Sequence, residues 1–192
     1  MVVTASLMRP LGTPAIPFSL PDTEGNPVSL DDFKDAPTLL IVFMCNHCPY
    51  VKHVLPTLVP LIRDLQRQGV AVVGISANDV TQYPEDQPDR MAEVARERGF
   101  TFPYLYDETQ ETAKAYGATC TPDFFLYDRK RRLVYRGQMD DSRPSNGLPV
   151  TGEDLKAAVT AVLAGRAVSA EQRPSMGCNI KWRKGNEPEP MD

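Results

Sequence analysis

"TLLIVFMCNHCPYVKHVLPTLVPLIRDL", residues 38–65, changes its periodicity half-way, and the two cysteines stand at the change. Residues 38–44 form a continuous apolar run, too short for a buried helix and the right length for a central strand. From Pro49 onward Val51, Val54, Leu55, Leu58, Leu61, Ile62 and Leu65 recur at three- and four-residue steps. That is one face of a helix, which should stop near Gly69. Pro56 and Pro60 fall inside it and predict a kink.

The joint itself reads Cys45-Asn46-His47-Cys48-Pro49. Three chemistries fit two thiols at that spacing: a redox dithiol, part of a metal site, or two small buried hydrophobes. A strand that runs straight into a cysteine and then into a helix sets that sulfur against the helix's unpaired N–H groups and positive dipole end, which favour a thiolate. The second sulfur, one turn in, is placed to attack a mixed disulfide formed by the first. On this reading Cys45 is the exposed nucleophile, Cys48 the buried resolving thiol, and His47 a donor or positive charge that tunes the Cys45 thiolate.

Outward from the joint, residues 18–33 read as two short strands about a Gly-Asn-Pro turn, and residues 70–78 as a second buried strand. A proline-rich loop, "YPEDQPD", leads to a helix over about 89–98; residues 102–107 form a strand, and a further helix stops at Gly117. Residues 123–137 read as a hairpin with Arg129-Lys130-Arg131-Arg132 as a solvated tip, and 151–165 as a final helix with Thr151 or Gly152 near its cap. This order predicts an α/β fold, a mixed β-sheet flanked by helices, with an N-terminal β-hairpin extension and a C-terminal tail. The expected organisation is one domain over 1–168 and a tail over 169–192, docked over 173–183 and disordered over 185–192.

Composition narrows the function. With 192 residues, 42% apolar and 24% charged, the chain holds one well-buried core rather than two. A net charge of -4 argues against nucleic-acid or anionic-membrane partners. No segment reaches the ~18 apolar residues of a membrane span. The start, "MVVTASLMRPLGTPAIPF", has no basic leader ahead of an apolar stretch, so the expected location is cytoplasmic. There, four cysteines point to catalysis, metal binding or simple burial rather than a structural disulfide framework.

"CNHCP" after a strand, followed about seventy residues later by "TCTPDFF" (119–125), resembles the thioredoxin superfamily and its redoxin or peroxiredoxin-like (AhpC/TSA-related) branch. The resemblance runs from the N-terminal hairpin to the helix ending near Gly165. It implies a thioredoxin-like fold and a cis-proline loop at Thr121-Pro122 facing the dithiol, its backbone pairing with an extended substrate segment. It implies thiol–disulfide oxidoreductase activity on a protein or small-molecule disulfide, an external thiol reductant and no cofactor. Two departures stand out: Asn46-His47 replaces the usual Gly-Pro pair, and His53 stands where thioredoxins carry a kinking proline.

The peroxidase alternative needs Pro-x-x-x-Thr-x-x-Cys. Counted back from Cys48 the threonine position is Cys45 and the proline position Ile41; from Cys45 they are Val42 and Thr38. Neither register supplies the hydroxyl that would hold a peroxide, so disulfide chemistry is preferred. A soft metal site from Cys45, His47, Cys48, His53 and Cys120 is chemically possible, but the second ligand pair that makes zinc motifs specific is missing, and no metal is expected. A non-catalytic module with a structural dithiol is the third alternative.

The tail, "RPSMGCNIKWRKGNEPEPMD", alternates Cys178, Ile180 and Trp182 with Asn179 and Lys181 and holds the chain's single Trp. That pattern predicts docking on the fold; two readings stay open, one that brings Cys178 near Cys120 as a further pair of redox thiols and one in which Cys178 stays reduced and Trp182 finds a groove.

Overall fold

The computed structural model describes residues 3–188. Its main sheet has five strands in the order β6-β5-β4-β8-β9, formed by β4 (Thr38–Phe43), β5 (Val70–Ser76), β6 (Tyr104–Tyr106), β8 (Asp123–Tyr127) and β9 (Leu133–Gly137). β4, β5 and β6 run parallel, β8 is antiparallel to β4, and β9, antiparallel to β8, returns to the direction of β4. All six residues of β4 are buried because it has a strand on each side and a layer on each face. This is why it lacks the alternating pattern of a half-exposed strand.

One face carries α1 (Pro49–Arg67), α2 (Pro88–Arg98) and α4 (Glu153–Leu163), whose Leu58, Met91 and Leu155 meet Leu40 and Val42 of β4. The other carries α3 (Glu111–Tyr116), where Tyr116 packs edge-on to Phe125 and Tyr127 beside Phe43. The N-terminal hairpin of β2 (Ser19–Pro21) and β3 (Pro27–Ser29) leans Leu20 and Val28 on that second cluster. Among the described residues no helix is long and apolar enough to cross a membrane. The mixed sheet flanked by helices is the α/β arrangement expected.

Two local readings change. α1 begins at Pro49 with Cys48 as its N-cap, so Cys45 lies outside the helix. Arg131, placed at a solvated hairpin tip, is half-buried with φ 55, and its guanidinium donates to the carbonyls of Phe33 and Ala36.

A second sheet joins the two ends of the chain: β1 (Val3–Ala5), β10 (Met176–Asn179) and β7 (Cys120–Thr121), with β10 between the others and antiparallel to both. Three residues of strand at 3–5 are too few to carry a periodic signal, and sequence reading missed them. Beyond β10, Ile180 is buried and Trp182 packs at the margin of the second cluster. The Ile180 and Lys181 amides donate to the Thr119 carbonyl (3.0 Å) and to Asn78 Oδ1 (2.8 Å). Such bonds, rather than side-chain burial alone, offset the cost of ordering the segment. Disorder was expected over 185–192; residues 189–192 lie outside the described set, and Asn186 is held, its side-chain Nδ2 donating to Thr109 O (3.1 Å) and Gln110 Oε1 (2.8 Å).

Asp123 is a buried acid of the core. It sits opposite Phe43, is wholly buried, and neither carboxylate oxygen has a full hydrogen bond. Burial pushes its carboxyl up to about 7 from an ordinary 3.8, only weakly opposed by Ser6 and by the Thr119 and Phe124 amides. Between those two values the unfolded chain releases a proton that the folded chain keeps, so this group's share of stability falls as pH rises through the window. The loss amounts to roughly 4 kcal/mol for a shift of about 3 units. Asp123→Asn should remove this slope and stabilise the protein at about pH 8 more than at about pH 5. Denaturant midpoints of the two proteins at both values would show it; parallel pH profiles would refute it.

Candidate active site

The loop 45–48 is shaped by one carboxylate. Asp86, fully buried, accepts from the backbone N–H of Asn46 (2.7 Å) and of His47 (3.1 Å), from Asn78 Nδ2 (2.8 Å) and from His47 Nδ1 (2.5 Å). Burial works against its charge, but the His47, Asn78 and Asn46 donors prevail, and its carboxyl lies below the ordinary range. The His47 ring is further fixed by stacking on Tyr83 at 4.9 Å. The Asn46 side chain donates to Glu85 O (2.8 Å) and accepts from Tyr104 Oη (3.1 Å).

The thiols meet at the cis Thr121-Pro122 peptide. Cys45 Sγ lies 3.5 Å from Thr121 Oγ1, and Cys48 Sγ lies 3.2 Å from the Thr121 carbonyl. The cis-proline loop therefore faces the dithiol as the family resemblance implied. Its edge is not open, however: β10 pairs with it, Cys178 opposite Thr121 and Asn179 opposite Cys120. Neither sulfur is at the surface, with Cys45 1% and Cys48 0% exposed. An external recess of about 480 Å³, lined by Asn46, His47, Lys52, Glu85, Arg90 and Glu93 among others, opens on the His47 side.

The surroundings of the two thiols differ from those read from sequence. Cys45, expected as an exposed, acidified nucleophile, is buried, and burial pushes its thiol well up; its hydrogen bond to Cys48 and the Asp86 charge act the same way. Cys48 is pulled far below the ordinary thiol range. Its first cause is the hydrogen bond from Cys45, joined against burial by the Cys178 thiol, Thr121 and the Val51 N–H. The Thr121 carbonyl at 3.2 Å favours a protonated Cys48, but it is one acceptor against several donors. The physical reason is the helix start. Pro49 takes the first helical position with Cys48 as N-cap, so one first-turn amide, that of Val51, acts on Cys48. His47 Nδ1 is 4.0 Å from Cys45 and much closer to Asp86. It orients the loop through Asp86 rather than pairing primarily with a Cys45 thiolate.

The five metal ligands considered from sequence are not gathered. His53 Nε2 bonds Ser142 Oγ (2.7 Å), and the Cys120 thiol faces the carbonyls of Pro122 and Ser175 at 3.9 Å each. Cys45, His47 and Asp86 do offer ligand atoms within 4.8 Å of one another, but Asp86 already accepts four hydrogen bonds. Cys178 stands opposite Thr121, and it is Asn179 that stands opposite Cys120. It shares a hydrogen bond with Cys48 and takes one from the Tyr50 amide. None of the four cysteines forms a disulfide in this structure.

Sequence reading missed Asp86, Asn78 and Tyr83. The available signal was topological: the loop after β5, a parallel neighbour of β4, must leave the sheet at the same end as the cysteines.

The AhpC/TSA family model matches residues 11–136. A putative peroxiredoxin of Mycobacterium tuberculosis (strain CDC 1551 / Oshkosh) is 31% identical over 107 residues, 56% of this chain and 63% of that protein. The thiol-disulfide oxidoreductase ResA of Halalkalibacterium halodurans is 25% identical over 123 residues, 64% of this chain and 65% of that one. This chain thus spans less than two thirds of the length of either relative. The crystal structure of an uncharacterised conserved protein from Geobacillus kaustophilus superposes with a TM-score of 0.93 at 55% identity, covering 95% of this chain and 97% of that one.

With Cys48 as the acidic thiol, the reduced protein should hold a thiolate at neutral pH. Ultraviolet thiolate absorbance at about pH 7 should be present in the wild type, persist in Cys45→Ser and vanish in Cys48→Ser. Absorbance that follows Cys45 instead would reverse the assignment.

Proposed function

Since this chain belongs to the AhpC/TSA family, we propose that it is a thiol–disulfide oxidoreductase in which Cys48 attacks and Cys45 resolves. The observation that carries this reading is the contact of the two sulfurs beside Thr121 at the start of α1. The Cys48 thiolate attacks one sulfur of a substrate disulfide, the other leaves as a thiolate, and a mixed disulfide forms. The Cys45 thiol then gives up its proton and attacks the Cys48 sulfur, releasing the second substrate thiol and closing a Cys45–Cys48 disulfide. Two external thiols restore the reduced pair and leave joined as a disulfide. Cys45 is held as a thiol by burial and by the Asp86 charge, which keeps a second anion out of the site until the first has reacted.

Burial of both sulfurs supports a small-molecule disulfide over a protein one, because a folded partner has no route to Cys48 while β10 is seated. The same burial favours one second reading, reduction of a small peroxide, and the name of the mycobacterial relative points the same way. There the Cys48 thiolate would become a sulfenic acid and the Cys45 thiol would displace water from it.

Reduced protein should be oxidised by hydroxyethyl disulfide with Cys45 linked to Cys48, and Cys48→Ser should slow this by on the order of a hundredfold or more. Insulin should be a poor substrate. A hydrogen peroxide rate far above the disulfide rate would install the peroxidase reading, and turnover unaffected by Cys48→Ser would end both.

A further inference from the structure

Cys48 has a second sulfur beside it. β10 lies antiparallel on β7 with Cys178 directly opposite Thr121, so their side chains share a face. Thr121 directs its hydroxyl at Cys45, which makes that face the dithiol side. Cys120, one position along, points to the other side, toward the Pro122 and Ser175 carbonyls. The approach is closer than any other residue at 177 would allow. A Cβ on Gly177 would stand 1.9 Å from the Thr121 carbonyl oxygen. Seated there, Cys178 is 1% exposed and belongs to the same buried cluster as Cys45 and Cys48. The first turn of α1 divides its amides between the two sulfurs, Val51 N–H to Cys48 and Tyr50 N–H to Cys178.

We propose that Cys178 is a third redox thiol of this centre, a second resolving group for Cys48 held in place by the β10–β7 pairing. This rests on the reading of Cys48 as the attacking thiol. In the step proposed, Cys48 already carries one half of a substrate disulfide. The Cys178 thiol loses its proton and attacks the Cys48 sulfur; the Cys48–Cys178 bond forms, the Cys48–substrate bond breaks, and the departing thiolate takes up the proton. Two protein thiols are oxidised and one substrate disulfide is reduced to two thiols. Attack by Cys45 on Cys48 then returns Cys178 as a thiol and leaves Cys45–Cys48, an isomerisation with no change in electron count. The Cys48–Cys178 form ties the tail to α1, so oxidation at the centre also fixes the strand that covers it.

Cys45→Ser isolates the step. Reduced variant is mixed with hydroxyethyl disulfide, quenched in acid, digested and mapped by mass spectrometry. The expected product is a monomer with a Cys48–Cys178 linked peptide; with Cys178→Ser added, the reaction should stop at a hydroxyethyl adduct on Cys48. A Cys45→Ser protein that stops at that adduct, with Cys178 still open to alkylation, overturns the proposal. If the wild type meanwhile closes Cys45–Cys48, the dithiol reading survives; if wild-type Cys48 takes part in no disulfide, both fall. Should Cys45→Ser fail to fold, wild type sampled during partial oxidation must contain the Cys48–Cys178 peptide beside Cys45–Cys48, and its absence at every stage overturns the proposal equally.

Discussion

The buried carboxylate of Asp86 is the constraint on which the site depends. An isolated charge away from water costs several kcal/mol, so the structure must bring it donors. It does so with two successive amides of the 45–48 loop, the His47 ring and the Asn78 side chain. The loop is thereby fixed at both ends, by β4 before it and α1 after it, and pinned in the middle. Asn78 extends the arrangement, because its Oδ1 accepts from the Lys181 amide of the tail. One negative charge therefore holds the dithiol loop and the segment that covers it. It also acts on the chemistry, since its charge adds to burial and the Cys48 hydrogen bond in holding Cys45 as a thiol.

What the sequence made legible follows the same division. β4, α1, β5 and the 123–137 hairpin each bury a periodic or continuous set of apolar side chains, and such sets are written residue by residue. The Thr121-Pro122 loop facing the cysteines was legible through family resemblance. The start of α1 was not. "CNHCP" is compatible with a helix that begins after Cys45 or at Pro49, and the two starts aim the same amides at different sulfurs. Asp86 was invisible for a different reason: an acidic residue in a proline-rich loop looks like any solvated acid until the topology carries it under the sheet's end.

The tail shows how a correct pattern can lead to a wrong partner. Alternation of Cys178, Ile180 and Trp182 pointed to an ordered segment, and β10 is a strand. Strand register then decides which thiol is met, and register depends on where β7 stops. With Cys178 opposite Thr121, Cys178 turns to the dithiol and Cys120 turns away; a slip of one residue would have exchanged those faces. Gly177 guards against the slip, because its place against the Thr121 carbonyl admits no side chain.

Occupation of the β7 edge has a consequence for substrate choice that is independent of the third thiol. An extended peptide could pair with Thr121 only by displacing β10, which is held on its other edge by β1 and beyond its end by Asn78, Gln110 and the Asp79 amide. Each hydrogen bond contributes about 1 kcal/mol net, so releasing the strand means losing several together, along with the burial of Ile180. A small disulfide or peroxide, the substrate proposed above, has no need of the edge. The contacts that close the edge to a peptide are the ones that seat Cys178 beside Cys48, so on the proposed reading exclusion of large substrates and supply of a third sulfur arise from the same strand.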